Sequence, residues 1–105
     1  MIFTTIESVP DVEIIETLGV VTGSVVQSKH LGRDIMATLK MLIGGELRGY
    51  TEMLTDARNI AIRRLVEEAE KKGANGVIGI RFTTSAIAHG ASELLVYGTA
   101  VKCKT

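Results

Sequence analysis

Glu46, Tyr50, Glu52 and Arg58 are the residues whose types and spacing come nearest to acid–base chemistry. Tyr50, Leu54 and Arg58 recur every fourth position, so a helix laid over them carries all three on one face. An interface that also recruited Glu46 and Glu52 would gather two carboxylates, a phenol and a guanidinium. The simpler reading is structural: Glu52 caps a helix start and Arg58 pairs with a neighbouring carboxylate. A nucleophile needs a base held beside it, and no nucleophile-elbow motif occurs among the many Ser and Thr residues. No catalytic residue is assigned, and the chain is not read as an enzyme.

Metal chemistry has even less to work with. Cys103, His30 and His89 stand far apart, with no CxxC, HxH or HExxH spacing. Structural zinc sites draw on clustered Cys and His, so a metal site here requires symmetry to collect one copy from each of several subunits. The metal and any cofactor stay unknown. Phosphate cradles are equally weak. "GGELRG" follows a helix and lacks the Lys-Ser/Thr of a P-loop. "GANGVIG" ends a helix and enters a strand, the reverse of the dinucleotide-binding order.

Arg81 interrupts the apolar run "GVIGIRF". On a buried face it requires a partner, because an unpaired buried charge is costly. Glu93, or an acid on another subunit, is the candidate. The alternative is a polar wall formed by Arg81, Thr83, Tyr97 and Thr99.

The elements that must position these residues follow from the spacing of apolar residues. "MIFTTI" fits a short strand, and "ESVPDVE" with the single proline fits a turn. Residues 12–28 are rich in β-branched residues and predict one long strand or two, interrupted near Gly19 or Gly23. Glycine inside a strand marks a bulge or a close backbone approach. Ile35, Met36, Leu39, Leu42 and Ile43 recur at helical spacing, and Gly44-Gly45 ends that helix. A longer helix is expected from Tyr50 to Lys72, with Gly49 as its N-cap. Its buried stripe is Tyr50, Met53, Leu54, Ala57, Ile60, Ala61, Leu65 and Ala69, and Gly73 stops it. Residues 77–86 alternate, placing Ile78, Ile80 and Phe82 on one face and Val77, Gly79, Arg81 and Thr83 on the other. A turn near "AHGAS" leads to a last strand over 93–103. The chain is thus a single domain over residues 1–105. Its class is α+β, a two-layer architecture with two helices on one face of a largely antiparallel sheet, in the order β-α-α-β-β.

Composition narrows the function classes. The 12 basic residues balance the 12 acidic ones, and aromatics make up 4%. A phosphate-backbone binder carries a basic excess, so nucleic acid is not an expected partner. The single cysteine suits a reducing compartment. No apolar run approaches the roughly 20 residues that span a bilayer, and the N-terminus lacks a signal-peptide pattern. A cytoplasmic protein with no membrane partner is expected. Leu94 and Val96 alternate with Leu95, Tyr97 and Val101, so the last strand is apolar on both faces. Helices cover only one of these faces, and the other calls for a second copy in a homo-oligomer.

"TLGVVTGSVV", "IGGELRGYTEMLTDARNIA", "EEAEKKGANGVIGIRF" and "YGTAV" together make the chain resemble the YbjQ-like family over nearly its whole length. These are small uncharacterised proteins that carry a heavy-metal-binding label. The resemblance implies a fold like that of dodecin subunits and a homopentamer, with extra short strands aiding assembly, so that "MIFTTI" reaches a neighbour. It brings no catalytic set, and the ligand motifs its label suggests are missing from this sequence. The leading expectation is a non-enzymatic homo-oligomeric binding module for a metal ion or small molecule at subunit interfaces. Its candidate ligand or interface residues are Glu46, Tyr50, Glu52, Arg58 and Arg81. The alternative is a structural or protein-interaction oligomer without a small ligand. An enzyme with an interfacial site ranks third.

Overall fold

The computed structural model describes residues 1–28, 48–88 and 91–104. Among these the chain is α+β. Strand β1 (Ile2–Phe3) and strand β2 (Ile14–Ser28) precede helix α1 (Arg48–Lys71), which is followed by strands β3 (Gly76–Ala88) and β4 (Ala91–Cys103). The order among the described residues is therefore β-β-α-β-β, with one helix rather than two. The expected helix over 35–43 and its Gly44-Gly45 stop lie outside the described residues. The four strands form one mixed sheet in the order β1-β3-β4-β2. β3 and β2 each run antiparallel to β4, and β1 runs parallel to β3. The "MIFTTI" segment thus pairs within its own chain.

α1 packs on this sheet through a narrow stripe. Ala57, Ala61, Leu65 and Ala69 are buried at every fourth position, as the periodicity predicts, while Leu54 and Ile60 are half-buried. Three of the four buried residues are alanines, so the helix backbone can come close to the strands. It does so at Gly23, where an added Cβ would meet the Ala61 carbonyl and lie 2.6 Å from the Leu65 amide nitrogen. Gly23 does not break β2; it admits the helix. Around this contact Val21, Ala74, Val77, Ile80, Val96 and Ala100 complete the core cluster. Gly19 marks the bulge of β2, at the register shift between Thr17 and Gly19.

Both ends of α1 bear on the sequence expectations. The helix begins at Arg48, so Gly49 lies within it rather than at its cap. At the other end the Ala74 amide donates to the Ala69 carbonyl (3.0 Å) and the Gly73 amide to the Glu70 carbonyl (2.9 Å). This pair of bonds closes the last turn around a left-handed residue, and Gly73 has φ +80°.

β3 departs from simple alternation. Ile78 pairs with Thr99 and Arg81 with Tyr97, so Gly79 and Ile80 together oppose Gly98. Gly79 has φ +63°, the left-handed first residue of a β-bulge. The extra residue reverses which face each later side chain takes. Val77 and Ile80 are both buried in the core, while Arg81 falls on the face of Ile78. The expected grouping of Arg81 with Val77 and Gly79 is corrected accordingly. The bulge also crowds Gly98, where a Cβ would approach Val77 Cγ1 (2.9 Å) and Ile80 Cγ1 (3.1 Å).

Candidate functional site

Arg81 lies on the sheet face turned away from α1 and is exposed. Its Nη1 donates to the Thr5 carbonyl (2.7 Å) and to the Ile80 carbonyl (2.8 Å). Glu93 does not sit opposite it; Glu93 pairs with Ser85 and with Val26 across the sheet. The partners of Arg81 are backbone oxygens of the N-terminal segment and of its own strand. A guanidinium offers five donors in a fixed fork, and here it acts as a clamp. The same segment is held by backbone bonds. Ile2 N donates to Asn75 O, Thr4 N to Val77 O, Gly79 N to Ile6 O and Ile80 N to Thr4 O, at 3.0–3.2 Å.

The register brings Arg81, Thr83, Tyr97 and Thr99 onto that one face. They are not alone there. Val20 lies beside Thr99, Thr22 beside Tyr97, Ser24 beside Leu95 and Val26 beside Glu93. Val20 is 69% exposed, Val26 59% and Tyr97 39%. Among the described residues the face is thus a mixed apolar and hydroxyl surface that carries Arg81 and Glu93. Toward the C-terminal end of β4 the same face closes within the chain, since Val101 and Cys103 are buried.

A second feature borders α1. Arg64, Glu67, Glu68 and Lys71 face Thr22, Gly23 and Ser24 across an open cleft of about 310 Å³. Arg64 Nη1 donates to the Ser24 carbonyl at the outer edge of β2. The four helix residues are exposed, so the cleft is a solvated groove of both charge signs.

Of the other sequence candidates, Arg58 is an exposed helix residue. Tyr50 and Glu52 fall within α1, but their side chains, like all of Glu46, lie outside the described residues. The expected cluster of Glu46, Tyr50, Glu52 and Arg58 is therefore placed only at Arg58. His30 and His89 are likewise outside. Among the described residues no three of His, Cys, Asp and Glu come together to hold a metal, and none of the buried side chains is polar or charged. Cys103 is buried within a backbone clasp, with its amide donating to Asn75 Oδ1 (2.7 Å) and Asn75 Nδ2 donating to its carbonyl (2.9 Å). Within one chain, the described residues do not fit a thiolate-type heavy-metal site. Asn75 had no signal in the sequence beyond its place in the "GANG" turn. No helix among the described residues is long and apolar enough to cross a membrane.

Comparison with known proteins gives the setting. A family described as "Putative heavy-metal-binding" matches residues 1–104. A UPF0145 protein of Colwellia psychrerythraea is 69% identical over 104 residues, covering 99% of both chains. Another, of Thermotoga maritima, is 63% identical over 102 residues, covering 97% of this chain and 96% of its own. A crystal structure of a Pediococcus pentosaceus protein of unknown function, assigned to the DUF74 family, matches with a TM-score of 0.64. It covers 99% of this chain and 98% of its own at 18% identity, a likeness of fold.

Proposed function

The chain belongs to the YbjQ family, and from that premise we propose a non-enzymatic, cytoplasmic homo-oligomer that binds a metal ion or small polar ligand where its copies meet. The observation that carries this reading is the uncovered sheet face. Val20, Val26 and Tyr97 stand exposed opposite the face that α1 covers. Large apolar side chains exposed on a sheet face call for a covering layer, and another copy supplies it. The family label favours a metal as ligand. Because no cluster of metal-binding side chains exists among the described residues, the ligand's contacts come from several copies or from beyond those residues. Arg81 and the hydroxyls of Thr83 and Thr99 are the polar groups offered at this face.

Native mass spectrometry of the untagged protein, purified without chelator, tests the proposal. An oligomer, with a pentamer as the expected size, carrying a stoichiometric metal or small-molecule mass supports it. A monomer at micromolar concentration removes it.

The lack of a buried polar or charged side chain among the described residues favours a second reading, an assembly or protein-interaction role without a small ligand. The two separate on thermal stability. A ligand that binds only the native state raises the melting temperature, whereas an interaction module shows no rise with divalent metals or metabolites.

A further inference from the structure

We propose that residues 1–6 form a strap that opens from β3 as one unit while the rest of the sheet stays folded. Arg81 is its latch, and the turn at Pro10-Asp11 is its hinge. This inference concerns a single chain and does not depend on the oligomeric reading above.

The strap lies on the sheet without being built into its core. Within residues 1–13 only Thr4, Val9 and Val12 are half-buried, and the rest are exposed. Met1, Ile2, Phe3 and Ile6 bury no whole side chain, so polar bonds carry the attachment. Backbone bonds tie Ile2, Thr4 and Ile6 to the stretch from Asn75 to Ile80 at 3.0–3.2 Å. The Arg81 guanidinium adds the bond to the Thr5 carbonyl at 2.7 Å. A segment with little buried apolar surface and solvent-facing backbone bonds belongs to the low end of local stability.

The far end of the segment is anchored, and the link to it is strained. β1 and β2 lie at opposite borders of the sheet, so residues 4–13 cross from one border to the other. The Lys104 amide holds the Glu13 carbonyl at 2.8 Å, and β2 begins at Ile14. Between anchor and strap the Val12 amide donates to the Val9 carbonyl (3.2 Å), closing a turn around Pro10 and Asp11. Proline fixes a negative φ at the first central position, and Asp11 has φ +64° at the second. That is a type II turn, whose second central position favours glycine. A side chain there strains the backbone. The closed strap holds Asp11 in this conformation, and opening lets it relax. The bonds to β3 and the strain in the link thus act in opposite directions. Opening also returns the Arg81 guanidinium to the hydroxyl-bearing face, because Thr5 is its partner outside its own strand among the described residues.

Amide hydrogen exchange, read by NMR on the full chain, tests the strap. The amides of Ile2, Thr4, Gly79 and Ile80 donate bonds that opening breaks. The expected result is that all four share one protection factor, well below that of the ladder between β3 and β4. Asp11→Gly relieves the turn and slows all four amides by the same several-fold factor. Arg81→Met removes the latch and speeds all four together. Both positions are exposed, and circular dichroism checks that each variant folds. Protection that climbs from Ile2 to Gly79, with Ile2 indifferent to both substitutions, is fraying from the terminus and overturns the proposal. So does protection equal to that of the ladder, which makes the segment part of global unfolding. An Asp11→Gly chain that exchanges like the wild type removes the hinge and overturns it as well.

Discussion

Replacing Gly23 with alanine drives a methyl into the helix backbone at Ala61 and Leu65. Backbone cannot rotate aside as a side chain can, and overpacking costs about 1–3 kcal/mol, occasionally more. We expect Gly23→Ala to lose about 3 kcal/mol in urea unfolding. Gly98→Ala should lose less, because two of its three nearest neighbours are side-chain carbons of Val77 and Ile80. A smaller loss at Gly23 than at Gly98 would show that α1 can lift off the sheet. Asn75→Ala strips both partners from the Cys103 backbone. Unsatisfied groups of this kind cost about 1–3 kcal/mol, readable as a fall in melting temperature. The two glycines of β2 were legible as types: a strand glycine means a bulge or a close approach, and Gly19 and Gly23 are one of each. Gly79 was not legible, because its alternating neighbours fit an unbroken strand equally well. That single hidden residue moved Arg81 to a different set of companions. Asn75 was invisible for another reason. Its role depends on Cys103, and no local pattern links the two.

At the scale of elements, α1 was the most legible part of the chain. Its four-residue stripe and its glycine stop both follow from helix geometry. Leu65 is the largest side chain in the buried stripe. Truncation to alanine should cost about 2–5 kcal/mol, seen as a drop in the urea midpoint with unchanged slope. The N-terminal segment was legible as a strand but not as a parallel partner of β3, since two residues of pairing leave no periodic trace. Its attachment is sparse: a few backbone bonds and the guanidinium of Arg81. Met1, Ile2, Phe3 and Ile6 are all exposed, so side-chain burial adds little. Arg81→Met should therefore speed hydrogen exchange at the Thr4 and Ile80 amides, with a small change in overall stability. Unchanged exchange there would mean that the backbone bonds alone hold the segment.

For the whole molecule, assembly and stability are linked. If copies bind one another only when folded, the melting temperature rises with protein concentration. A thermal series over a hundredfold range of concentration checks this, and a flat response marks a monomer. The α+β class and the antiparallel pairing of β3 with β4 were legible because long apolar periodicities survive tertiary context, whereas the parallel β1 that makes the sheet mixed was not. The candidate site was far less so. Arg81 was singled out as an anomaly in an apolar run, yet what it holds is a carbonyl many residues away, a relation set by topology and not by spacing.

The strand order also sets a timetable for synthesis. β1 finds its neighbour only at Gly76, and β2 pairs with residues as late as Cys103. At roughly 5–20 residues per second on the ribosome, the opening strand waits several seconds for a partner. The uncharged "VVTGSVV" stretch waits until the C-terminal strand has emerged from the exit tunnel. A chain stalled before β4 thus leaves β2 without its partner and α1 without a complete sheet to lie on. Such a nascent chain is a natural client for chaperones, and a truncated gene product is a seed for aggregation.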